Sequence, residues 1–183
     1  MAKKKQLSDL RVIDNALNTD SLLELQEIFN HHETGWYKSD GISSADSTNA
    51  IVNPLDNYYF VHLIYLDYKP VSSCFDRVAE ILMKLLRDKE GNDFRALTRI
   101  KANFYPRTTE VQLHPWHCDT STMEGMRGAL LSLNTCDGFT GFADGTEVDS
   151  VENRLVLFDA TKKHHSTSCS NAQYRLNINV NYV

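Results

Sequence analysis

The sequence predicts an α+β fold in which two N-terminal helices pack on one sheet of a double-stranded β-helix, the jelly-roll or cupin-like architecture. Apolar residues recur at helical spacing in two early segments, and after Gly91 the pattern changes to short strands separated by turn residues. Helices followed by a run of antiparallel strands are typical of this class. The 183 residues, with few Pro and Gly, indicate one domain spanning 1–183.

The first elements are a short strand and a helix. Arg11–Leu17 has strand character, and Thr19 or Asp20 can cap the helix that follows. Its apolar residues form one broad side: Leu22, Leu23, Leu25, Ile28 and Phe29. Residues 31–57 are polar and irregular, which predicts a long surface loop.

A second helix is predicted over 72–87. Its apolar residues repeat at intervals of three and four, Ser72 or Ser73 is a suitable cap, and Gly91 follows the predicted end. This amphipathic pattern predicts a helix with one face on the core.

Five further strands are predicted in the second half of the chain. They are Leu97–Tyr105, Val111–Asp119, Gly128–Asn134, Arg154–Asp159 and Tyr174–Tyr182. Asp137-Gly138 and Asp144-Gly145 are predicted hairpin turns.

The last strand alternates clearly between polar and apolar residues. Arg175, Asn177, Asn179 and Asn181 share one face, and the residues between them are apolar. The polar face is therefore expected to line a cavity or to meet solvent.

Composition excludes several classes of protein. A hydrophobic content of 42%, 23% charged residues and short apolar runs indicate a soluble protein without membrane spans. No apolar signal core follows the basic N-terminus, and the four cysteines lack CxxC spacing, which argues against export and a zinc cage. We expect a cytoplasmic protein, in the host cytoplasm if phage-encoded. The net charge of −5 makes nucleic acid an unlikely partner.

The pair His117 and Asp119 is the strongest chemical signal. On a strand these two side chains point the same way, whereas His114 points to the opposite face and is a poor ligand. A downstream histidine, His164 or His165, completes two imidazoles and one carboxylate. That donor set suits iron(II) and leaves coordination positions open.

Several segments resemble the 2-oxoglutarate- and iron(II)-dependent oxygenases, specifically their prolyl 4-hydroxylase-like branch of small bacterial or phage enzymes. In order, they are Asn103-Phe-Tyr-Pro106, His117-Cys-Asp119, Leu133-Asn134 with Gly138-Phe-Thr-Gly-Phe142, Asn153-Arg-Leu-Val-Leu-Phe-Asp159, His164 and Arg175-Leu-Asn177. The similarity covers about 95–183, the expected catalytic core.

The resemblance implies a role for each matching residue. Iron(II) would be held by His117, Asp119 and His164, because family spacing places the distal histidine six residues after Phe158; His165 is the fallback. Arg175 would bind the far carboxylate of 2-oxoglutarate, supported by Tyr105 and Asn103. The segment Gly138–Phe142 lacks the family's acidic residue, so a turn and core role is expected there.

The implied reaction is hydroxylation of an unactivated carbon with release of succinate and CO2. It would use iron(II), 2-oxoglutarate and O2, with ascorbate as an optional addition. The expected substrate is a peptidyl proline or another protein side chain, and the alternatives are a free amino acid or small metabolite. A non-enzymatic metal-binding jelly roll is a competing hypothesis. A nucleic-acid demethylase is disfavoured, because Asn181 occupies the position of that group's second arginine.

Overall fold

Two α-helices and eleven strands make up the part of the chain that the computed structural model describes, residues 10–40, 56–120, 123 and 125–183. The helices are α1 (Thr19–Asn30) and α2 (Phe75–Glu90), and a 3-10 turn covers Gly91–Asp93. The strands are β1 (Arg11–Ile13), β2 (Tyr37–Asp40), β3 (Tyr58–Leu66), β4 (Lys69–Pro70), β5 (Leu97–Pro106), β6 (Arg127–Ser132), β7 (Phe139–Phe142), β8 (Glu147–Asp149), β9 (Leu155–Asp159), β10 (His164–His165) and β11 (Tyr174–Tyr182).

The strands form a large and a small antiparallel sheet. The large sheet has the order β1-β9-β6-β11-β5-β3-β2, with β4 paired to β3, and the small sheet has the order β10-β7-β8. Leu130 and Phe158 of the large sheet pack against Phe142 and Val148 of the small one. This arrangement confirms the predicted α+β jelly roll.

Both helices cover one face of the large sheet. Leu25 of α1 and Leu82 of α2 belong to the same buried cluster as Ile100 of β5 and Ile178 of β11. Apolar burial on this scale is the main stabilising contribution to such a layer. The predicted placement of the helices on one sheet is correct. The opposite face of that sheet lines a cavity.

The helix caps differ from those that the sequence suggested. Asn18 caps α1, because its side-chain oxygen accepts a hydrogen bond from the Ser21 amide at 2.9 Å, so Thr19 and Asp20 lie inside the helix. Helix α2 begins at Phe75, after Cys74 and not directly after Ser72 or Ser73. It ends at Gly91 as predicted, where φ is +58°.

The N-terminal half contains more strand than the pattern predicted. Strand β1 stops at Ile13, and Tyr37–Asp40, inside the predicted loop 31–57, pairs with β3. Residues 41–55 of that loop lie outside the described residues. The sequence pattern does not predict β3, because its nearly continuous apolar run lacks the alternation of a half-buried strand.

The predicted strand over 111–119 is wrong. This segment makes isolated bridges, Leu113 with Thr167 and His117 with His164, and forms no regular strand. Asp144-Gly145 turns between β7 and β8 as predicted, whereas Asp137-Gly138 connects strands of different sheets and is not a hairpin. Within the described ranges no helix is long and apolar enough to cross a membrane.

Candidate metal centre and adjoining cavity

Two histidines are paired across the bridge between the 111–119 segment and β10. The His117 amide donates to the His164 carbonyl at 2.9 Å, and the His164 amide donates back to the His117 carbonyl at 2.9 Å. Their ring centroids are 4.5 Å apart. Residues distant in sequence therefore present their imidazoles side by side.

Each imidazole is oriented by a backbone carbonyl. His117 Nδ1 lies 3.1 Å from the Pro115 carbonyl oxygen, and His164 Nδ1 lies 3.0 Å from that of Lys162. Since a carbonyl only accepts, Nδ1 carries the hydrogen in both rings, and Nε2 keeps a free lone pair. This is the tautomer that a metal ligand requires.

The Asp119 carboxylate is held by three donors. Arg99 Nη2 donates to Oδ1 at 2.9 Å, and the side-chain amides of Asn179 and Asn181 donate to Oδ2 at 3.3 and 2.9 Å. A carboxylate offers about four lone-pair positions. One position therefore remains for a cation.

The ligand atoms of His117, Asp119 and His164 all lie within 4.8 Å of one another. Burial, with the neighbouring His164, lowers the pKa of His117 to about 4, so this ring is neutral at physiological pH. Burial would raise the pKa of Asp119, but Arg99 and the other donors outweigh it and hold this pKa well below its usual range. His117 and Asp119 are therefore in the protonation states that bind metal.

The two neighbouring histidines lie apart from this group. The His165 ring packs edge-on against Trp116 at 4.3 Å, and its Nδ1 is 3.1 Å from the Ser166 carbonyl oxygen. His114 is buried, with Nδ1 2.8 Å from Ser166 Oγ, and burial lowers its pKa well below the usual value. Among the described residues, the cluster that can hold an ion uses His164 and neither of these.

A cavity between the two sheets adjoins the three donors. Its floor is built from the paired strands β5 and β11, whose polar side chains face it in register: Tyr105 with Arg175, Asn103 with Asn177, and Lys101 with Asn179. Arg99 and Asn181, the next pair, hold Asp119. The polar face of the last strand thus lines a cavity, with the donor cluster near one end and Arg175 at the other.

Arg175 is fixed before any ligand binds. The side chain is 1% exposed, Nη1 donates to the Thr167 carbonyl at 3.0 Å, and Nη2 donates to Thr140 Oγ1 at 2.8 Å. Within the described chain its Nε has no hydrogen-bond partner. Burial lowers the pKa of Arg175, although a guanidinium stays charged at any physiological pH. A buried cation with a free donor is suited to bind an anion.

Tyr105 and Asn103 line the same cavity. Burial raises the pKa of Tyr105 to about 12, so its hydroxyl remains a hydrogen-bond donor, and its ring stacks on Tyr59 at 5.3 Å. Asn103 donates to Asn177 Oδ1 at 2.9 Å, and its own Oδ1 has no partner in the described part of the protein. Asn103 therefore keeps a polar atom available to a ligand, whereas the Tyr105 hydroxyl is hydrogen-bonded to Ser166.

The sequence pattern alone missed several residues of the cavity, among them Lys101 and Thr140. Lys101 faces it from β5, and burial, with repulsion from Arg99, lowers the pKa of its ammonium to about 8. The alternation of Arg99, Lys101, Asn103 and Tyr105 with apolar residues on β5 was a usable signal. Thr140 was expected in a turn and core role, whereas its hydroxyl supports Arg175.

Solved structures share this architecture. A member of the 2-oxoglutarate-Fe(II) oxygenase family from Burkholderia pseudomallei superposes with a TM-score of 0.68 at 9% identity, over 94% of this chain and 84% of that chain. A prolyl hydroxylase from Trichoplax adhaerens, in complex with a hypoxia-inducible-factor peptide fragment, superposes with a TM-score of 0.65 at 17% identity, over 94% and 82%. The fold is that of the 2-oxoglutarate- and iron(II)-dependent oxygenases.

A third structure with this oxygenase fold contains ligands. HygX from Streptomyces hygroscopicus, with nickel and 2-oxoglutarate bound, superposes with a TM-score of 0.59 at 13% identity, over 94% of this chain and 82% of that chain. No protein-family model and no curated protein matches the sequence. At these low identities the likeness to oxygenases is one of fold.

Proposed function

We propose that this protein is an iron(II)- and 2-oxoglutarate-dependent dioxygenase that hydroxylates an unactivated carbon and releases succinate and CO2. One observation carries the proposal. Two imidazoles and a carboxylate converge near one end of a polar cavity, and a buried arginine stands at the other end. This arrangement supports a metal site at one end of the cavity and a dicarboxylate site at the other.

His117, Asp119 and His164 would hold the metal. Two imidazole nitrogens and one carboxylate oxygen are the donor set that non-haem iron(II) oxygenases use, and they leave positions for other ligands. The bound nickel and 2-oxoglutarate in HygX support a metal site in this fold. Arg99, Asn179 and Asn181 would keep the Asp119 carboxylate oriented.

Arg175 would bind the far carboxylate of 2-oxoglutarate. A guanidinium matches a carboxylate with two parallel hydrogen bonds, and the Tyr105 hydroxyl and Asn103 amide lie on the adjacent strand. From Asn179, which contacts Asp119, to Arg175 is four residues along β11, or roughly 13 Å of strand. Arg175 would therefore bind the end of the dicarboxylate that lies away from the metal.

The bound iron, 2-oxoglutarate and O2, with ascorbate as an optional reductant, would supply an oxidant that attacks an unactivated C–H bond. The protein's own contribution is positioning and the exclusion of water. The positioning would come from three features: the oriented imidazoles of His117 and His164, the restrained Asp119 carboxylate, and the fixed Arg175 guanidinium. No side-chain general base is required for this step.

The proposed substrate is a peptidyl proline or another protein side chain. The Trichoplax adhaerens prolyl hydroxylase binds a peptide fragment and shares the fold over 94% of this chain, which supports a peptide. The same cavity chemistry is compatible with a free amino acid or small metabolite. A peptide panel scored by mass spectrometry for the gain of one oxygen atom, with free amino acids in parallel, separates the two.

Anaerobic titration tests the reaction class. Adding iron(II) and 2-oxoglutarate should produce a weak visible charge-transfer band, and exposure to O2 should release succinate. Asp119→Ala and His164→Ala should lose the band, whereas His165→Ala and the exposed His32→Ala should keep it. If the wild type gives neither band nor succinate, the chain is a non-enzymatic module and the proposal fails.

A further inference from the structure

A second cavity lies away from the metal cluster, among α1, β2, β3 and the start of α2. Its volume is about 570 Å³, and none of its lining residues lines the cavity between the sheets. Three of them form a nucleophilic cluster: His62 of β3, and Ser72 and Cys74 just before α2. The proposed oxygenase chemistry uses none of the three.

The three side chains are in mutual contact. Ser72 Oγ lies 2.7 Å from His62 Nε2 and 3.2 Å from Cys74 Sγ, and Sγ lies 3.6 Å from the same His62 nitrogen. These distances allow a proton to pass from the thiol to the imidazole, directly or through the serine hydroxyl. The cluster therefore has the geometry of an activated thiol with its base.

His62 is locked in the tautomer that a base requires. Its Nδ1 lies 2.7 Å from the Gly35 carbonyl oxygen, which can only accept, so Nδ1 carries the hydrogen and Nε2 can take up a proton. The ring also packs against Phe29 and Trp36, each with centroids 6.1 Å away. The imidazole thus stays directed towards Ser72 and Cys74.

Cys74 lies where a thiolate is stabilised and accessible. It is the N-cap of the sixteen-residue helix α2, and its side chain makes no capping hydrogen bond. The positive end of a helix macrodipole favours a negative charge at this position. The residue is half-buried and lines the cavity, so a small reagent can reach the sulfur.

We propose that Cys74 and His62 form a thiolate–imidazolium pair, and that their cavity is a site at which hydroperoxides oxidise Cys74 to a sulfenic acid. The thiolate sulfur attacks one peroxide oxygen, a sulfur–oxygen bond forms and the oxygen–oxygen bond breaks. The leaving hydroxide or alkoxide takes the proton from His62. Sulfur loses two electrons, and the peroxide is reduced to water or an alcohol.

The charges around the cavity are compatible with this pair. The His62 hydrogen bond to Cys74 raises the pKa of the imidazole; the pKa of the thiol is lowered, because the His62 and Ser72 contacts outweigh its burial. Glu27 and Glu33 line the cavity and favour the imidazolium. His31, Tyr37 and Arg77 also line the cavity, and Arg77 is paired with Glu24 at 2.8 Å.

The first experiment compares cysteines within the wild-type protein. Each of the four lies on its own tryptic peptide, so mass spectrometry can follow iodoacetamide alkylation of all four at once. At pH 6.5 Cys74 should react at least about tenfold faster than the similarly half-buried Cys118, because the adjacent imidazole and the helix N-terminus stabilise its thiolate. Equal rates, or an ordinary thiol pH profile for Cys74, would overturn the pair.

The second experiment removes the base. His62→Gln should slow Cys74 alkylation strongly at pH 6.5 and little at pH 9.5, where hydroxide ionises the thiol, whereas His32→Gln should change neither rate. Ser72→Ala provides a second test that keeps the imidazole, and it should slow the low-pH reaction less. A His62→Gln variant that folds and keeps the wild-type pH profile would contradict the role of His62.

The third experiment addresses oxidation itself. After brief treatment with hydrogen peroxide, a 1,3-diketone that traps sulfenic acids should label Cys74 ahead of Cys118, and a thiol reductant added before the trap should prevent the labelling. If alkylation is fast but the trap labels Cys74 no faster than Cys118, the site is a reactive thiol and not a peroxide site. Neither result depends on metal or on 2-oxoglutarate, so this proposal and the oxygenase proposal fail separately.

Discussion

Single side chains at the proposed co-substrate end are held in place by the protein. Arg175 donates hydrogen bonds to Thr167 and Thr140, and its aliphatic stem passes Gly138, where an added Cβ would lie 2.8 Å from Arg175 Cδ. An arginine fixed in this way loses little entropy when an anion binds. Arg175 should therefore contribute to 2-oxoglutarate binding more than to metal binding.

Replacing Arg175 tests this distinction. Arg175→Ala should weaken 2-oxoglutarate binding by about tenfold or more, since a charge-assisted fork is worth roughly 1.5 to 3 kcal/mol, and should leave iron(II) affinity nearly unchanged. Thr140→Val, which keeps the guanidinium, should weaken 2-oxoglutarate binding by less. Calorimetric titration of each ligand measures both, with the exposed Arg107→Ala as control. Equal losses for metal and 2-oxoglutarate would contradict the assigned role.

Individual residues were predictable where alternation or spacing constrained them. Four alternating polar positions predict the polar face of β11, and three of them line the cavity. The prediction holds because strand geometry alone determines which side chains share a face. Strand alternation predicts that His114 is not a ligand, and His114 does lie outside the donor cluster. The reason is different, because 111–119 makes only isolated bridges and is not a strand. Lys101 was signalled by the same alternation on β5, whereas Thr140 acts through Arg175 on another strand, a contact that a single sequence does not reveal.

At the scale of elements, a buried ion pair anchors the end of α2 to the large sheet. The Glu90 side chain is 3% exposed, accepts from Arg11 Nη1 at 2.7 Å, and lies 3.5 Å from Arg127 Nη2. Arg127 is itself buried at the start of β6. Removing Glu90 would leave that guanidinium without its countercharge in a place that water does not reach.

Glu90→Ala should destabilise the protein by about 3 to 5 kcal/mol, the usual cost of breaking a buried pair. The matched control is Glu24→Ala, which breaks the exposed pair with Arg77 and should cost about 1 kcal/mol or less. Urea unfolding followed by circular dichroism measures both variants. A similar loss of unfolding free energy in the two variants would mean that burial does not determine how much these ion pairs stabilise the protein.

Elements with a clear period were predicted, and those without one were not. Helix α2 and strands β5, β9 and β11 lie close to their predicted bounds, because their apolar spacing carries the signal. Strand β3 is apolar almost throughout, so no period marks it. The N-cap residues, Asn18 and Cys74, lie one or two positions from the predicted caps. The cap position depends on the backbone conformation at the helix start, which residue type alone does not determine.

At the scale of the molecule, the donor cluster needs no refolding to bind metal. His117 and His164 are joined by two backbone hydrogen bonds, and Asp119 is held by strands β5 and β11. Ligand binding should therefore add to the stability of a structure that already exists. The helices pack on one face of the large sheet, and the cavity lies on the other face. The hydrophobic core and the candidate metal centre are therefore on opposite sides of that sheet.

Thermal unfolding tests this expectation with nickel(II), the metal bound in the HygX structure. At concentrations of nickel(II) and then 2-oxoglutarate about 100-fold above their dissociation constants, each ligand should stabilise the protein by about 2.7 kcal/mol. For a chain of this size that corresponds to a rise in Tm of roughly 5 to 10 °C. Asp119→Ala should lose the nickel(II) response, and His32→Ala should keep it. A nickel(II) response that survives in Asp119→Ala would place the metal elsewhere.

Strand β11 lies in the middle of the large sheet, between β5 and β6, although it follows both in the sequence. During synthesis β5 emerges about seventy residues before its partner β11. The edge of β5 that later pairs with β11 therefore keeps unpaired backbone groups until β11 has been synthesised. Such long-range pairing slows folding and exposes nascent chains to aggregation. The strand that carries Arg175 is thus also the one that joins the two halves of the sheet, and the proposed anion site can form only after that strand has paired.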